Sequence, residues 1–192
     1  MFNNLKPNVL IVSSPRTGST ALLRDIGSAL QCQSWNEPAN SPDKWEQFIR
    51  SRDHSHVIKF HADDQHKYDS IDFRSYTIVS IHRRNKVEQV ASNYISMMRN
   101  RWGYDTLTVS EQRKFTDEHI QIDDNEIREN IWAIEGFERS LERFIEQWGS
   151  NHRYYYEDCS FSSRVVKTPL PSNYGELIAV IENVLTELNA TK

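Results

Sequence analysis

The run from Asn8 to Ser13 (NVLIVS), the turn from Ser14 to Thr20 (SPRTGST) and the amphipathic stretch behind it constrain this chain more than any other feature. An almost wholly apolar short run predicts a strand buried on both faces over 8–13, since a half-exposed strand would alternate. Leu22, Leu23, Ile26, Ala29 and Leu30 then fall on one stripe of a helix over 18–30. A buried strand feeding a helix is the unit from which parallel sheets are built.

The pattern recurs along the chain. VIKF over 57–60, YTIVSI over 76–81 and HRYYY over 152–156 predict further strands. Helices are predicted over 85–99, with Val87, Val90, Ala91, Tyr94, Ile95 and Met98 on one face, over 126–148 and over 172–188. Trp132 and Trp148 on the long helix are expected in the core. The stretch 36–42, with two prolines and two asparagines, reads as a loop. The polar stretch 104–124 predicts a short helix and loops, a lid or an acceptor-side insertion. The expected fold is therefore α/β, a three-layer αβα arrangement around a central parallel sheet. Its ligands are expected at the carboxyl ends of the strands.

Composition narrows the function. A chain of 192 residues suits a single domain over 1–192, or one with an appended lobe, and can bury a core without disulfides. A net charge of −4 argues against nucleic acid as a partner, though local basic clusters can still hold a small anion. Cys32 and Cys159 form no CxxC pattern and read as reduced structural cysteines of a cytoplasmic protein. The first residues carry no basic region followed by a long apolar run, so neither a signal peptide nor a membrane span is expected. The histidines, including His54, His56 and His66, show no metal-ligand spacing, and no metal is expected.

The turn after the first strand has the makings of an anion site. Gly18 permits a sharp turn, and the first amides of the following helix have no partner within it. The positive end of the helix dipole lies behind them. Ser19 and Thr20 add hydroxyls, and Arg16 adds a permanent charge. A triphosphate-binding loop would carry lysine after its second glycine, but here Ser19 follows Gly18, which disfavours magnesium-ATP chemistry. A second basic loop, His82-Arg83-Arg84-Asn85-Lys86, follows the third predicted strand and opens a helix. Arg84 and Ser92 stand two helical turns apart, so they converge on one anion only if the arginine reaches back along the helix.

PRTGST after the first strand resembles the 5′-phosphosulfate loop of the PAPS-dependent sulfotransferases, usually P-K-S-G-T-T. RNKVEQVAS resembles their 3′-phosphate motif, an arginine followed eight residues later by a serine. The wording RRNKVEQVASNY is most similar to the bacterial trehalose 2-sulfotransferase-like branch, and Tyr156-Glu157-Asp158 resembles the family's Y-E-D segment. The resemblance covers most of the chain but not 104–124, and Val166-Lys167-Thr168 is a looser match. It implies a P-loop-like sulfotransferase fold, PAPS as donor, PAP as product and a hydroxyl acceptor such as a carbohydrate. It assigns Arg16, Thr17, Gly18, Ser19 and Thr20 to the 5′ group, and Arg84 and Ser92 to the 3′-phosphate. Arg164 or Lys167 is a further closing cation. Arginine at position 16 departs from the family's lysine: it keeps the charge but holds its proton, so its expected role is electrostatic.

Two residues compete to take the acceptor's proton. Glu37, in the loop after the first helix, stands where the bacterial branch carries its carboxylate base. An anionic donor beside it would raise its pKa toward useful basicity. His61, ending the VIKFH strand, resembles the V-K-x-H of the eukaryotic cytosolic sulfotransferases, where histidine is the base and the lysine, here Lys59, assists. The choice stays open, with Glu37 slightly favoured by the match of the second basic loop. Two other readings stand beside this one: a small-molecule kinase with a degenerate phosphate loop, and a non-catalytic module that senses PAP or another nucleotide. The chain leaves little room for a large acceptor lobe, so a homodimer partner or an open cleft is expected to complete the site.

Overall fold

The computed structural model describes residues 8–100, 109–161 and 169–191. Five strands form one all-parallel sheet in the order β2-β3-β1-β4-β5: β1 Asn8–Ser13, β2 Gln33–Asn36, β3 His56–His61, β4 Thr77–His82 and β5 His152–Tyr155. The apolar run that predicted a doubly buried strand is the central one. Val9, Leu10, Ile11 and Val12 are each wholly buried between β3 and β4.

The chain forms two compact units. The first, 1–84 with 136–164, contains the sheet. Helix α1 (Ser19–Leu30) lays Leu22, Leu23 and Ile26 against Val9, Ile11, Val57, Val79 and Ile81 on one face. Each such buried side chain contributes about 1.5–3 kcal/mol. On the other face Leu10, Val12, Ile58, Phe60 and Ile78 meet Phe48 of α2 (Pro42–Ser51). They also meet Leu141 and Phe144 of α5 (Asp124–Trp148). Phe60 is the hub of this face, with its ring stacked on Tyr68 at 4.3 Å. Gly27 belongs to α1 because a Cβ there would lie 1.9 Å from Ser34 Oγ of β2.

The second unit, 85–135 with 165–192, is helical among its described residues. Val90, Ala91, Tyr94 and Ile95 of α3 (Lys86–Met98) pack with Ile127, Ile131 and Ile134 of α5. Leu177, Ile181 and Val184 of α6 (Tyr174–Ala190) complete the cluster. Helix α4 (Val109–Asp117) supplies the short helix expected near 104–124, and residues 104–108 lie outside the described ones. No described helix is long and apolar enough to cross a membrane.

The structure departs from the sequence reading in three places. Strand β2 and helix α2 were not predicted. Trp132, expected in the core, is 53% exposed, whereas Trp148 packs against Phe73. The strand predicted over 152–156 ends at Tyr155, and Tyr154, Tyr155 and Tyr156 are all half-buried, without the alternation a half-exposed strand would show.

Candidate active site

The carboxyl ends of β1, β2 and β3 converge on one cluster of chemistry, and the loop after β1 forms one wall of it. Ser13 and Ser14 are buried, and the backbone then turns left-handed at Arg16 (φ 62°) and Gly18 (φ 76°). Glycine adopts that region freely, whereas an arginine held there costs about 1–2 kcal/mol, which is the kind of strain that persists at functional sites. Two contacts hold the loop. Thr17 Oγ1 donates to the Ser14 carbonyl at 3.0 Å, and Arg83 Nη1 donates to the Arg16 carbonyl at 3.1 Å. Helix α1 starts at Ser19 with no side-chain cap, so its leading amides stand at the positive end of the dipole. Ser19 is buried and Thr20 half-buried beside them.

Glu37, Lys59 and His61 form a second wall. Register sets them together: Asn36 pairs with Lys59 across the β2–β3 ladder, and the Glu37 amide extends that ladder to the Lys59 carbonyl at 2.8 Å. Lys59 and His61, two residues apart, lie on the same side of β3, and Ser13 pairs with His61 across the β1–β3 ladder. Lys59 is 2% exposed, and its ammonium donates to Glu37 Oε1. His61 Nε2 lies 3.2 Å from the same oxygen and 3.3 Å from Lys59 Nζ. His61 Nδ1 lies 3.3 Å from Ser13 Oγ, and Asn40 Nδ2 donates to Glu37 Oε2 at 3.0 Å. Glu37 itself is left-handed (φ 48°), a second strained non-glycine residue at the strand ends.

Electrostatics divides the roles. Burial alone would raise the Glu37 carboxyl, but the His61 hydrogen bond and the Lys59 charge outweigh it and hold the carboxyl well below the usual carboxylate range. The rise expected beside an anionic donor is thus reversed in the protein alone. A carboxylate so stabilised is a poor proton acceptor. Burial pulls the Lys59 ammonium below lysine's ordinary range. Glu37 offsets part of that, and the positive charge of Arg16 adds to it. A lysine buried this deeply is tolerated because Glu37 balances it.

The second basic loop meets the end of β5. The Arg84 amide donates to both carboxylate oxygens of Glu157 at 3.0 and 3.1 Å. The Arg84 guanidinium forks onto Asp158 at 2.6 and 2.7 Å and lies over the Tyr155 ring at 4.1 Å. The Asp158 contacts also push Arg84 above arginine's ordinary range. Ser92 sits on α3 in the second unit, so its assignment to the 3′-phosphate rests on sequence spacing alone. Arg164 and Lys167 lie outside the described residues.

Among the sequence candidates, Arg16 to Thr20 share one loop, and Glu37, Lys59 and His61 share one hydrogen-bonded group. Sequence reasoning missed Ser13, Arg83 and the pairing of Asp158 with Arg84. All three depend on strand register or on residues far apart in the chain. The chain matches no protein-family model and no curated protein.

Proposed function

We propose that the protein is a sulfotransferase that moves a sulfuryl group from PAPS to a hydroxyl of a sugar or small metabolite. In this reading its fold is a three-layer αβα, P-loop-like one. The observation that carries the proposal is the meeting of two walls at the carboxyl ends of β1, β2 and β3. One is a left-handed loop leading into an uncapped helix start, and the other is a buried Lys59–Glu37–His61 group.

In this reading the amides opening α1 and the hydroxyls of Ser19 and Thr20 hold the 5′-phosphosulfate. The S–O bond to the 5′-phosphate breaks as the acceptor oxygen bonds to sulfur, and PAP leaves. Negative charge grows on the departing bridging oxygen. Arg16 and Lys59 stabilise it as preorganised cations. His61 takes the acceptor's proton, and the Glu37 carboxylate stabilises the imidazolium that results. Between the two candidate bases the electrostatics favours His61, because Glu37 is committed as a carboxylate to Lys59 and His61. Arg84 exchanges the Asp158 carboxylate for the 3′-phosphate.

PAP release from PAPS in the presence of pooled sugars and small alcohols tests the proposal. Wild type turns over. The His61→Asn variant loses about 10²–10⁴ in rate, the size of a general-base contribution, while its affinity for PAP stays at the wild-type value. Phosphoryl transfer from magnesium-ATP to the same pool, without PAPS turnover, would replace this reading with the kinase.

A further inference from the structure

We propose that Arg83 and Tyr156 form a clamp that holds the β1–α1 loop in its anion-binding shape, making them positioning residues for the 5′ group of the donor. The inference rests on the sulfotransferase reading. Neither residue is needed to build the sheet. Arg83 follows β4, and Tyr156 opens the 3₁₀ turn after β5. Both side chains nevertheless turn to the loop that follows β1.

Tyr156 sets the Cδ2–Cε2 edge of its ring against the turn. A Cβ at Gly18 would stand 2.5 Å from its Cδ2 and 2.8 Å from its Cε2, so the ring occupies the space that only glycine leaves. Phe161 backs the ring at a centroid distance of 5.8 Å. Arg83 closes the other side. Its guanidinium carbon lies 4.9 Å from the Tyr156 ring centroid, and Nη1 donates to the carbonyl of Arg16. The two left-handed residues of the loop, Arg16 and Gly18, are thereby each held: one by a charge-assisted hydrogen bond from Arg83, the other by the edge of the Tyr156 ring, whose face carries the Arg83 guanidinium. Arginine suits the task because a planar guanidinium stacks and donates at once, which an ammonium does not. A loop that carries strain at Arg16 holds its shape only where its surroundings over-determine it, and the clamp supplies that.

The test is calorimetric titration with three ligands: PAP, 5′-AMP and 3′-AMP. A loop-specific role predicts that Arg83→Gln and Tyr156→Leu each weaken PAP and 5′-AMP at least tenfold and leave 3′-AMP unchanged. The ring-preserving Tyr156→Phe restores the wild-type values, and Arg83→Lys does not. Retained 3′-AMP binding also certifies that the variants are folded. Equal losses for all three ligands, or undiminished 5′-AMP binding in both Arg83→Gln and Tyr156→Leu, would overturn the clamp while leaving the sulfotransferase reading in place. A wild-type protein that binds none of the three overturns that reading and the clamp with it.

Discussion

Lys59 is the residue whose placement asks most of the fold. It sits in a central strand with its ammonium out of water, and a charge so placed costs several kcal/mol without a partner. Glu37 supplies that partner, and His61 shares it. Removing one member of such a pair costs more than removing both. Glu37→Gln is expected to destabilise the protein by about 3 kcal/mol, the low end of the range for breaking a buried pair. It should also change the response to acid. The folded Glu37 carboxyl lies below its ordinary value near 4.5, so its stabilisation is complete above that pH and drains away as pH falls below it. His56, buried and hydrogen-bonded to Tyr76, is pulled below histidine's ordinary 6.5, so its share is lost from that pH downward. Wild-type unfolding midpoints, by urea from pH 7 to pH 3, should therefore fall in two stages. In Glu37→Gln the stage below pH 5 should shrink, leaving the part that Asp158 contributes through Arg84, and the earlier stage should persist. A variant with the full wild-type acid profile would show that Glu37 does not carry the paired charge.

The loop between β1 and α1 depends on glycine in one place. Gly18→Ala meets both a left-handed backbone and the Tyr156 ring, and should cost about 1–2 kcal/mol from the backbone alone. Chemical denaturation measures it, and an unchanged midpoint would mean that the loop is softer than its contacts indicate. The same loop was legible from the sequence, because strand, turn and helix are local patterns whose signals lie side by side. Strand β2 was not. It is a four-residue edge strand, QSWN, in which only Trp35 is buried, so neither alternation nor a long apolar run marks it. Helix α2 was missed for a different reason: its signals, Ser41 with Pro42 at the first turn and Trp45, Phe48 and Ile49 at helical spacing, are present but follow a proline-rich stretch that reads as loop. Its single fully buried side chain, Phe48, leaves the stripe faint. Lys59 and His61 were picked out as a pair on one strand, and Glu37 apart from them as a rival base. Their union comes from the β2–β3 register, and the part of Ser13 comes from the β1–β3 register, neither of which a single sequence displays. Trp132 failed as a core residue because a long helix has more positions than its buried stripe can hold.

Taken whole, the molecule divides its chain between a sheet unit that carries the Lys59–Glu37–His61 group and the β1 loop, and a helical unit built on α3, α5 and α6. Its slight negative charge fits a small anionic ligand held by a few placed cations rather than a broad basic surface. The account therefore turns on the identity of that anion. Thermal unfolding with PAP, ATP and magnesium-ATP side by side tests it most directly. A ligand present at ~100 times its dissociation constant adds about 2.7 kcal/mol, which for a domain of this size raises the midpoint by roughly 5–10 °C. The account predicts that rise with PAP, with no further gain from magnesium, and its loss in Arg84→Ala. A rise with magnesium-ATP and none with PAP would contradict it.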